Sequence, residues 1–145
     1  MGNLIHMTTA VATAAVEALI HAYAEDVFSI LGLHERQGRF AVTCFLPGAH
    51  KVEVVDAQER PLGALTQLHA DGVFDGPVDL TERAAYKLRV HYASGVFVKE
   101  DPYRFSSSLT PLDLYLFGEG THERLYRFMG AHVICQDGVW GTRFC

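Results

Sequence analysis

The stretch Tyr86-Lys87-Leu88-Arg89-Val90-His91-Tyr92 decides the fold, because apolar and polar side chains alternate along it without a break. Strict alternation with a period of two is typical of a β-strand that buries one face and exposes the other. The pattern places Tyr86, Leu88, Val90 and Tyr92 on the inward face and the basic residues between them on the outward face. The stretch therefore predicts a strand of a half-buried sheet.

The same alternation recurs along the chain on both sides of this strand. Arg39–Leu46 places Phe40, Val42, Cys44 and Leu46 on one face, and the Pro-Gly pair that follows indicates a turn. Further short strands are predicted at residues 52–55, near residue 62, and at residues 73–74 and 96–98. No helical pattern separates them, which argues against a parallel α/β fold. We predict a mainly β protein, with an antiparallel immunoglobulin-like β-sandwich over residues 37–105.

The two flanks of the predicted sandwich have a different character. Residues 1–36 indicate a short N-terminal helical segment, with Thr8 or Thr9 as the helix N-cap and an alanine-rich run that continues to about Ala22. Residues 106–145 are expected to form an irregular linker and the truncated start of another β-domain. Within this second flank we predict a short helix at residues 122–129 and a final strand whose residues 142–144 have no partner strand.

Composition excludes several classes of protein. With 145 residues, 49% hydrophobic residues and a net charge of −5, the chain is typical of a globular protein without the basic face that nucleic-acid binding requires. The apolar run Ala10–Ile20 contains Glu17 and is too short to span a membrane. Three cysteines without a C-x-x-C pair favour reduced thiols, and we expect a cytoplasmic location without nucleic-acid or membrane partners.

The polar residues do not assemble into a recognisable catalytic or metal motif. The eight histidines include no pair spaced to bind zinc from one helical face, so no metal site is predicted. Catalysis by a pair of carboxylates needs the two groups held close together, about 5 Å apart. Nothing in the sequence brings together two of the four carboxylates near the aromatic C-terminal segment, and no catalytic residue is assigned: Glu100, Asp101, Asp113 and Glu119.

Exposed aromatic rings are the remaining candidates for a binding function, since sandwich domains that bind sugars use such rings as platforms. We select Tyr103, Tyr115 and Trp140 as carbohydrate-binding candidates, whereas Tyr92 continues the inward row of its strand and is expected in the core. The alternative for Tyr103 and Tyr115 is that they anchor the linker. The alternative for Trp140 is packing against another domain.

Three motifs give the chain a resemblance to a known family. They are D-P-Y-R-F at residues 101–105, D-x-x-L-x-x-E-G-T-H at residues 113–122 and G-A-H at residues 130–132. Together they resemble bacterial 1,4-α-glucan (glycogen) branching enzymes, over about residues 24–144. The resemblance implies the N-terminal (N1) module of such an enzyme, followed by the connector into its family 48 carbohydrate-binding domain.

Such an enzyme cuts an α-1,4-glucan and rejoins the piece as an α-1,6 branch, without a metal or organic cofactor. The resemblance places its catalytic carboxylates on a (β/α)₈ barrel, for which this chain is too short because the barrel takes about 250 residues. The implied role is an accessory module, inert alone, that influences glucan binding and the length of the transferred chain. The implied partners are glycogen, maltooligosaccharides and the downstream domains. The alternative is a purely structural sandwich that orients its neighbours without binding sugar.

Overall fold

The chain divides into two units, between Arg104 and Phe105. The first unit contains seven strands, most of which have an alternating sequence pattern. The computed structural model describes residues 11–105 and 109–145. In the first unit, helix α1 and a 3₁₀ helix (Val27–Ser29) precede the strands, and a second 3₁₀ helix (Pro102–Arg104) follows them. The elements are α1 (Thr13–Ile20), β1 (Gly32–Arg36), β2 (Arg39–Phe45), β3 (Ala49–Val55), β4 (Pro61–His69), β5 (Val73–Pro77), β6 (Lys87–Tyr92) and β7 (Gly95–Glu100).

The strands form one curled antiparallel sheet in the order β1-β2-β5-β4-β3-β6-β7. The nine-residue strand β4 connects its two halves, because residues 61–65 pair with β3 and residues 66–69 pair with β5. A strand that passes from one layer to the other at a bulge is a common way to close a sandwich corner. The predicted mainly β, antiparallel fold with a short N-terminal helix is confirmed.

The core lies between the two halves of the sheet. On β6, Leu88 and Val90 are buried as the alternation predicts, and Tyr86 just before the strand is among the largest fully buried side chains. On β2, Val42 and Cys44 enter the same cluster. Tyr92 is partly buried and packs against that cluster, as expected for the inward row. Other members come from β1, β3, β4 and β5 and from the connections between strands: Leu33, Leu46, Ala49, Val52, Val54, Leu65, Phe74 and Val78.

Strand β1 is the element of the first unit that the sequence pattern did not indicate. It pairs with β2 from Gly32–Thr43 to Arg36–Arg39, although its residues do not alternate clearly. The two strands are joined by Gln37 and Gly38, whose φ angles of 53° and 74° are those of a type I′ hairpin turn. The turn therefore determines this pairing. The predicted helix caps Thr8 and Thr9 lie outside the described residues, and α1 begins at Thr13 without a side-chain cap.

The second unit contains helix α2 (Pro111–Gly118), a 3₁₀ helix (Leu125–Arg127) and a hairpin of β8 (Ala131–Gln136) and β9 (Val139–Phe144). The short helix predicted at residues 122–129 is present only as the 3₁₀ helix Leu125–Arg127. Helix α2 was not predicted, and its start is set by the Thr-Pro pair at residues 110–111. The prediction that residues 142–144 lack a partner strand is wrong. Thr142 pairs with Val133 and Phe144 with Ala131, so β9 is paired along its length with β8.

The part of the chain that the structure describes contains no helix that is both long and apolar enough to cross a membrane.

Candidate functional site

The D-P-Y-R-F motif closes the end of the first unit around a buried carboxyl group. Asp101 is 1% exposed and follows β7 directly. The Tyr86 hydroxyl donates to Asp101 Oδ2 at 2.5 Å, and the Tyr103 backbone N–H donates to Oδ1 at 3.0 Å. Burial raises the pKa of Asp101 although both hydrogen bonds oppose the rise. The carboxyl group thus joins the core to the turn that ends the sheet.

The turn also holds the N-terminal segment in place. A Cβ atom on Gly32 would lie 2.5 Å from the Tyr103 carbonyl oxygen, so the backbone of the turn approaches β1 as closely as a glycine allows. The Tyr103 ring meets the Phe28 ring edge-on, with centroids 5.2 Å apart. Next to it, Arg104 Nε donates to Glu100 Oε2 at 3.0 Å. Tyr103 is half-buried, and part of its ring is in contact with Phe28.

Helix α2 in the second unit has a complete hydrogen-bonded cap. The Asp113 backbone N–H donates to the Thr110 hydroxyl oxygen, while the Thr110 backbone N–H donates to Asp113 Oδ2 at 2.9 Å. His122 Nε2 donates to Asp113 Oδ1 at 2.9 Å, and its Nδ1 accepts the Arg124 backbone N–H at 3.2 Å. These two bonds assign His122 the neutral tautomer with the proton on Nε2. Hydrogen bonds from Thr110 and then His122 lower the pKa of Asp113 to about 2.

The hairpin β8–β9 has two dissimilar faces. On one face, Arg143 lies over the Phe128 ring at 6.0 Å from its centroid and donates to the Arg127 carbonyl oxygen. The opposite face is solvent-exposed and nearly all apolar, and its cross-strand pairs follow from the register: Ala131 and Phe144, Val133 and Thr142, Cys135 and Trp140. We call these six residues the hairpin face.

The three aromatic candidates therefore lie in different surroundings. Tyr103 belongs to the first unit, whereas Tyr115 and Trp140 belong to α2 and β9 of the second unit. Tyr115 is 63% exposed and Trp140 is 74% exposed, so both rings are free to meet a ligand or another protein surface. Within the second unit they lie on separate elements. No single ring platform within one unit combines the three.

Three of the four acidic candidates have side-chain partners that hold them in structural roles. Glu100 pairs with Arg104 and with Lys87, Asp101 with Tyr86, and Asp113 with Thr110 and His122. Glu119 is the C-cap residue of α2. Over residues 11–105 and 109–145 no three His, Cys, Asp or Glu side chains converge as metal ligands. Cys44 is buried, which raises the pKa of its thiol, whereas Cys135 and Cys145 are exposed free thiols.

Sequence reasoning missed the bond between Tyr86 and Asp101 and the approach of Tyr103 to Gly32. Both join residues distant along the chain, and neither leaves a periodic signal. The one available hint was that Tyr86 extends the inward row of β6, which predicts a buried hydroxyl that needs a partner.

Comparison with known proteins identifies relatives of both units. Residues 12–103 match the family described as the alpha-1,4-glucan branching enzyme GlgB, N-terminal domain. A 1,4-alpha-glucan branching enzyme GlgB from Rubrobacter xylanophilus is 48% identical over 131 residues, which cover 90% of this chain and 18% of the relative. A GlgB 1 from Rhizobium johnstonii is 39% identical over 129 residues, covering 89% of this chain and 18% of the relative. A GlgB from Roseobacter denitrificans is 43% identical over 119 residues, 81% of this chain and 16% of the relative. The chain thus spans less than a fifth of the length of these relatives.

Proposed function

Because this chain belongs to the family of N-terminal domains of GlgB alpha-1,4-glucan branching enzymes, we propose that it is the N-terminal accessory module of such an enzyme. In this role it influences glucan binding and the length of the chain transferred from α-1,4 linkage to an α-1,6 branch. The observation that carries the proposal is the family match, which spans almost the whole first unit. The chain covers about 18% of the length of the Rubrobacter relative. The enzyme that contains it acts on glycogen in the cytoplasm.

The module is proposed to be catalytically inert alone. Support comes from the antiparallel topology, because the described residues show no alternation of strands and helices that could build a catalytic barrel. The acidic side chains support it as well: Asp101 is buried and Asp113 is committed to a helix cap. No residue is therefore assigned a catalytic role.

The proposed glucan contacts are the rings of Tyr103, Tyr115 and Trp140. Stacking of a sugar face on an aromatic ring buries apolar C–H groups and requires an accessible ring. Tyr115 and Trp140 meet this requirement through their exposure, and Tyr103 offers the part of its ring that Phe28 does not cover. We expect Trp140 to contribute most, because it is the largest of the three exposed surfaces.

The test of this function is a titration of the 145-residue chain with maltoheptaose and glycogen, monitored by NMR. Tryptophan fluorescence is a second readout for the variants that keep Trp140, the single tryptophan. Trp140→Ala and Tyr115→Ala should weaken binding. Tyr126→Ala is the matched control, since Tyr126 is equally exposed at 69% but is not assigned to sugar. Absence of binding at millimolar sugar, or equal losses in all three variants, would contradict glucan contact by these rings.

The hairpin face favours a second function for the module, that of positioning the domains that follow. Residues 106–145 are proposed to be the linker and the start of the next β-domain. In this alternative that domain covers the hairpin face, which includes Trp140, so Trp140 is not a glucan contact. An apolar strand face of this kind is normally buried in a packed core. In the longer enzyme, Val133→Lys and Phe144→Lys would then reduce thermal stability and alter branch length, while leaving maltoheptaose affinity of the isolated chain unchanged.

A further inference from the structure

Of the two edge strands of the first unit, one is covered by other residues and the other has an open edge. At one edge, Arg83 Nη2 donates to the Leu33 carbonyl oxygen at 3.0 Å, and the Tyr103 backbone lies against Gly32. Strand β1 is therefore covered. At the other edge, β7 is the last strand of the order and pairs only with β6 among the described residues. Its outer side presents alternate backbone N–H and C=O groups without a partner strand.

Strand β7 carries apolar side chains on both of its faces. Val96 is 55%, Phe97 50% and Val98 37% exposed. The register with β6 is regular over all six residues, without a bulge, and the strand contains no proline. A bulge or a proline normally protects an edge strand against pairing. Because β7 has neither, it is suited to adding another strand. A sugar would contact one face and leave the backbone edge unpaired, so the strand fits a protein partner better.

We propose that β7 pairs antiparallel with β7 of a second copy of this chain, about a two-fold axis at Phe97. A two-fold interface requires a self-complementary sequence, and Val96-Phe97-Val98 is symmetric about its centre. Val96 then lies opposite Val98 of the second copy on one face. On the other face Phe97 lies opposite Phe97.

The two charged residues of β7 fit the same register. Lys99 lies opposite Gly95 of the second copy, where the missing side chain leaves room for the lysine methylenes. Glu100 lies opposite Ser94, so no two like charges face each other. On the inner face Tyr92 and Phe97 have ring centroids 6.2 Å apart, and the two-fold axis extends this pair into a row of four rings. Apolar pairing, charge and the open edge therefore agree on one register.

Sedimentation velocity of the 145-residue chain over a micromolar concentration series tests the proposal. We expect a monomer–dimer equilibrium whose dissociation constant rises at least about tenfold in the Val96→Lys/Val98→Lys variant. Both valines are exposed, so this variant should keep its circular dichroism spectrum and melting temperature. Val133→Lys/Phe144→Lys is the control for association through the hairpin face, and it should leave the β7 dimer intact. A chain that stays monomeric, or a dimer weakened only by the control variant, would overturn the proposal.

Cysteine cross-linking tests the register independently of affinity. In a background with Cys135→Ser and Cys145→Ser, Phe97→Cys faces its own copy across the axis, whereas Val96→Cys faces Val98. Oxidation should therefore produce a covalent dimer of the Phe97→Cys variant much faster than of the Val96→Cys variant. Equal rates at the two positions, or a faster rate at position 96, would exclude a two-fold axis at Phe97. Neither result depends on whether the chain binds glucan.

Discussion

The first unit has a buried apolar core, whereas the second unit exposes its apolar residues. In the first, Val42, Val52 and Val90 are at 0% exposure, and large side chains from six strands meet in one core. In the second, none of the residues that the structure describes is buried. Trp140 is 74% and Phe144 is 78% exposed. Since burial of apolar surface is the main favourable term in folding, the two units cannot have the same stability.

The comparison shows two ways in which a sequence can specify structure. The first unit is specified by alternation, which produces a core. The second is held by local polar contacts: the Thr110–Asp113 cap, the His122–Asp113 bond and the stacking of Arg143 on Phe128. Such contacts fix a shape but contribute little net stability. This exposure supports our proposal that another surface covers the second unit.

The largest expected effect comes from separating the two units. Residues 11–105 should fold alone and unfold cooperatively on heating, because they contain every buried residue of the core. Residues 109–145 alone should show no cooperative transition. Differential scanning calorimetry and proton NMR dispersion of the two fragments measure this. A folded second fragment with its own transition would refute the contrast.

The next largest effect is expected where Gly32 of β1 contacts the backbone of Tyr103. Gly32→Ala should reduce the free energy of unfolding by about 3 kcal/mol, since a positive φ strains any side chain and the added Cβ also meets the Tyr103 carbonyl. Gly38→Ala is a matched control, because Gly38 has a φ of 74° but no atom within 4 Å of an added Cβ. It should cost about 1 kcal/mol. Urea unfolding measures the stability of both variants. Equal losses of unfolding free energy would show that the turn at Tyr103 does not restrict the space at Gly32.

A smaller effect is expected at the buried carboxyl group. Tyr86→Phe should cost about 2 kcal/mol, because Asp101 loses a buried donor while the ring is retained. The raised pKa of Asp101 means that folding favours its protonated form, so this group makes stability fall as pH rises above 3.8, its ordinary pKa. Asp101→Asn should flatten that part of the pH profile of unfolding. An unchanged slope would show that Asp101 is not the group responsible.

Most of the first unit could be predicted from the sequence, because its strands bury one face and therefore alternate. Strand β1 could not, since its position depends on a turn at Gln37-Gly38 and on a contact with Tyr103 made at the far end of the unit. Helix α2 could not be predicted from periodicity, because apart from Asp113 in its first turn it is apolar and shows no amphipathic period. Its signals are the residues of its start, Thr110, Pro111 and Asp113. The exposure of Trp140 could not be predicted either, because alternation in β9 indicates an apolar face but not whether anything covers it.

The smallest expected effect lies in the cap of α2 and sharpens the account of the second unit. Asp113 should titrate at a pKa of about 2, compared with 3.8 for an ordinary aspartate. A lowered folded-state pKa means that its contribution is complete above 3.8 and is lost as pH falls through about 2. Carboxyl-carbon NMR of Asp113 measures this directly. Because the hydrogen bond from the Thr110 hydroxyl lowers the pKa more than the hydrogen bond from His122 does, Thr110→Val should move the titration toward 3.8 further than His122→Ala does. If the histidine variant has the larger effect, the cap depends on the residues after the helix, and the E-G-T-H motif rather than the Thr-Pro start fixes the position of α2.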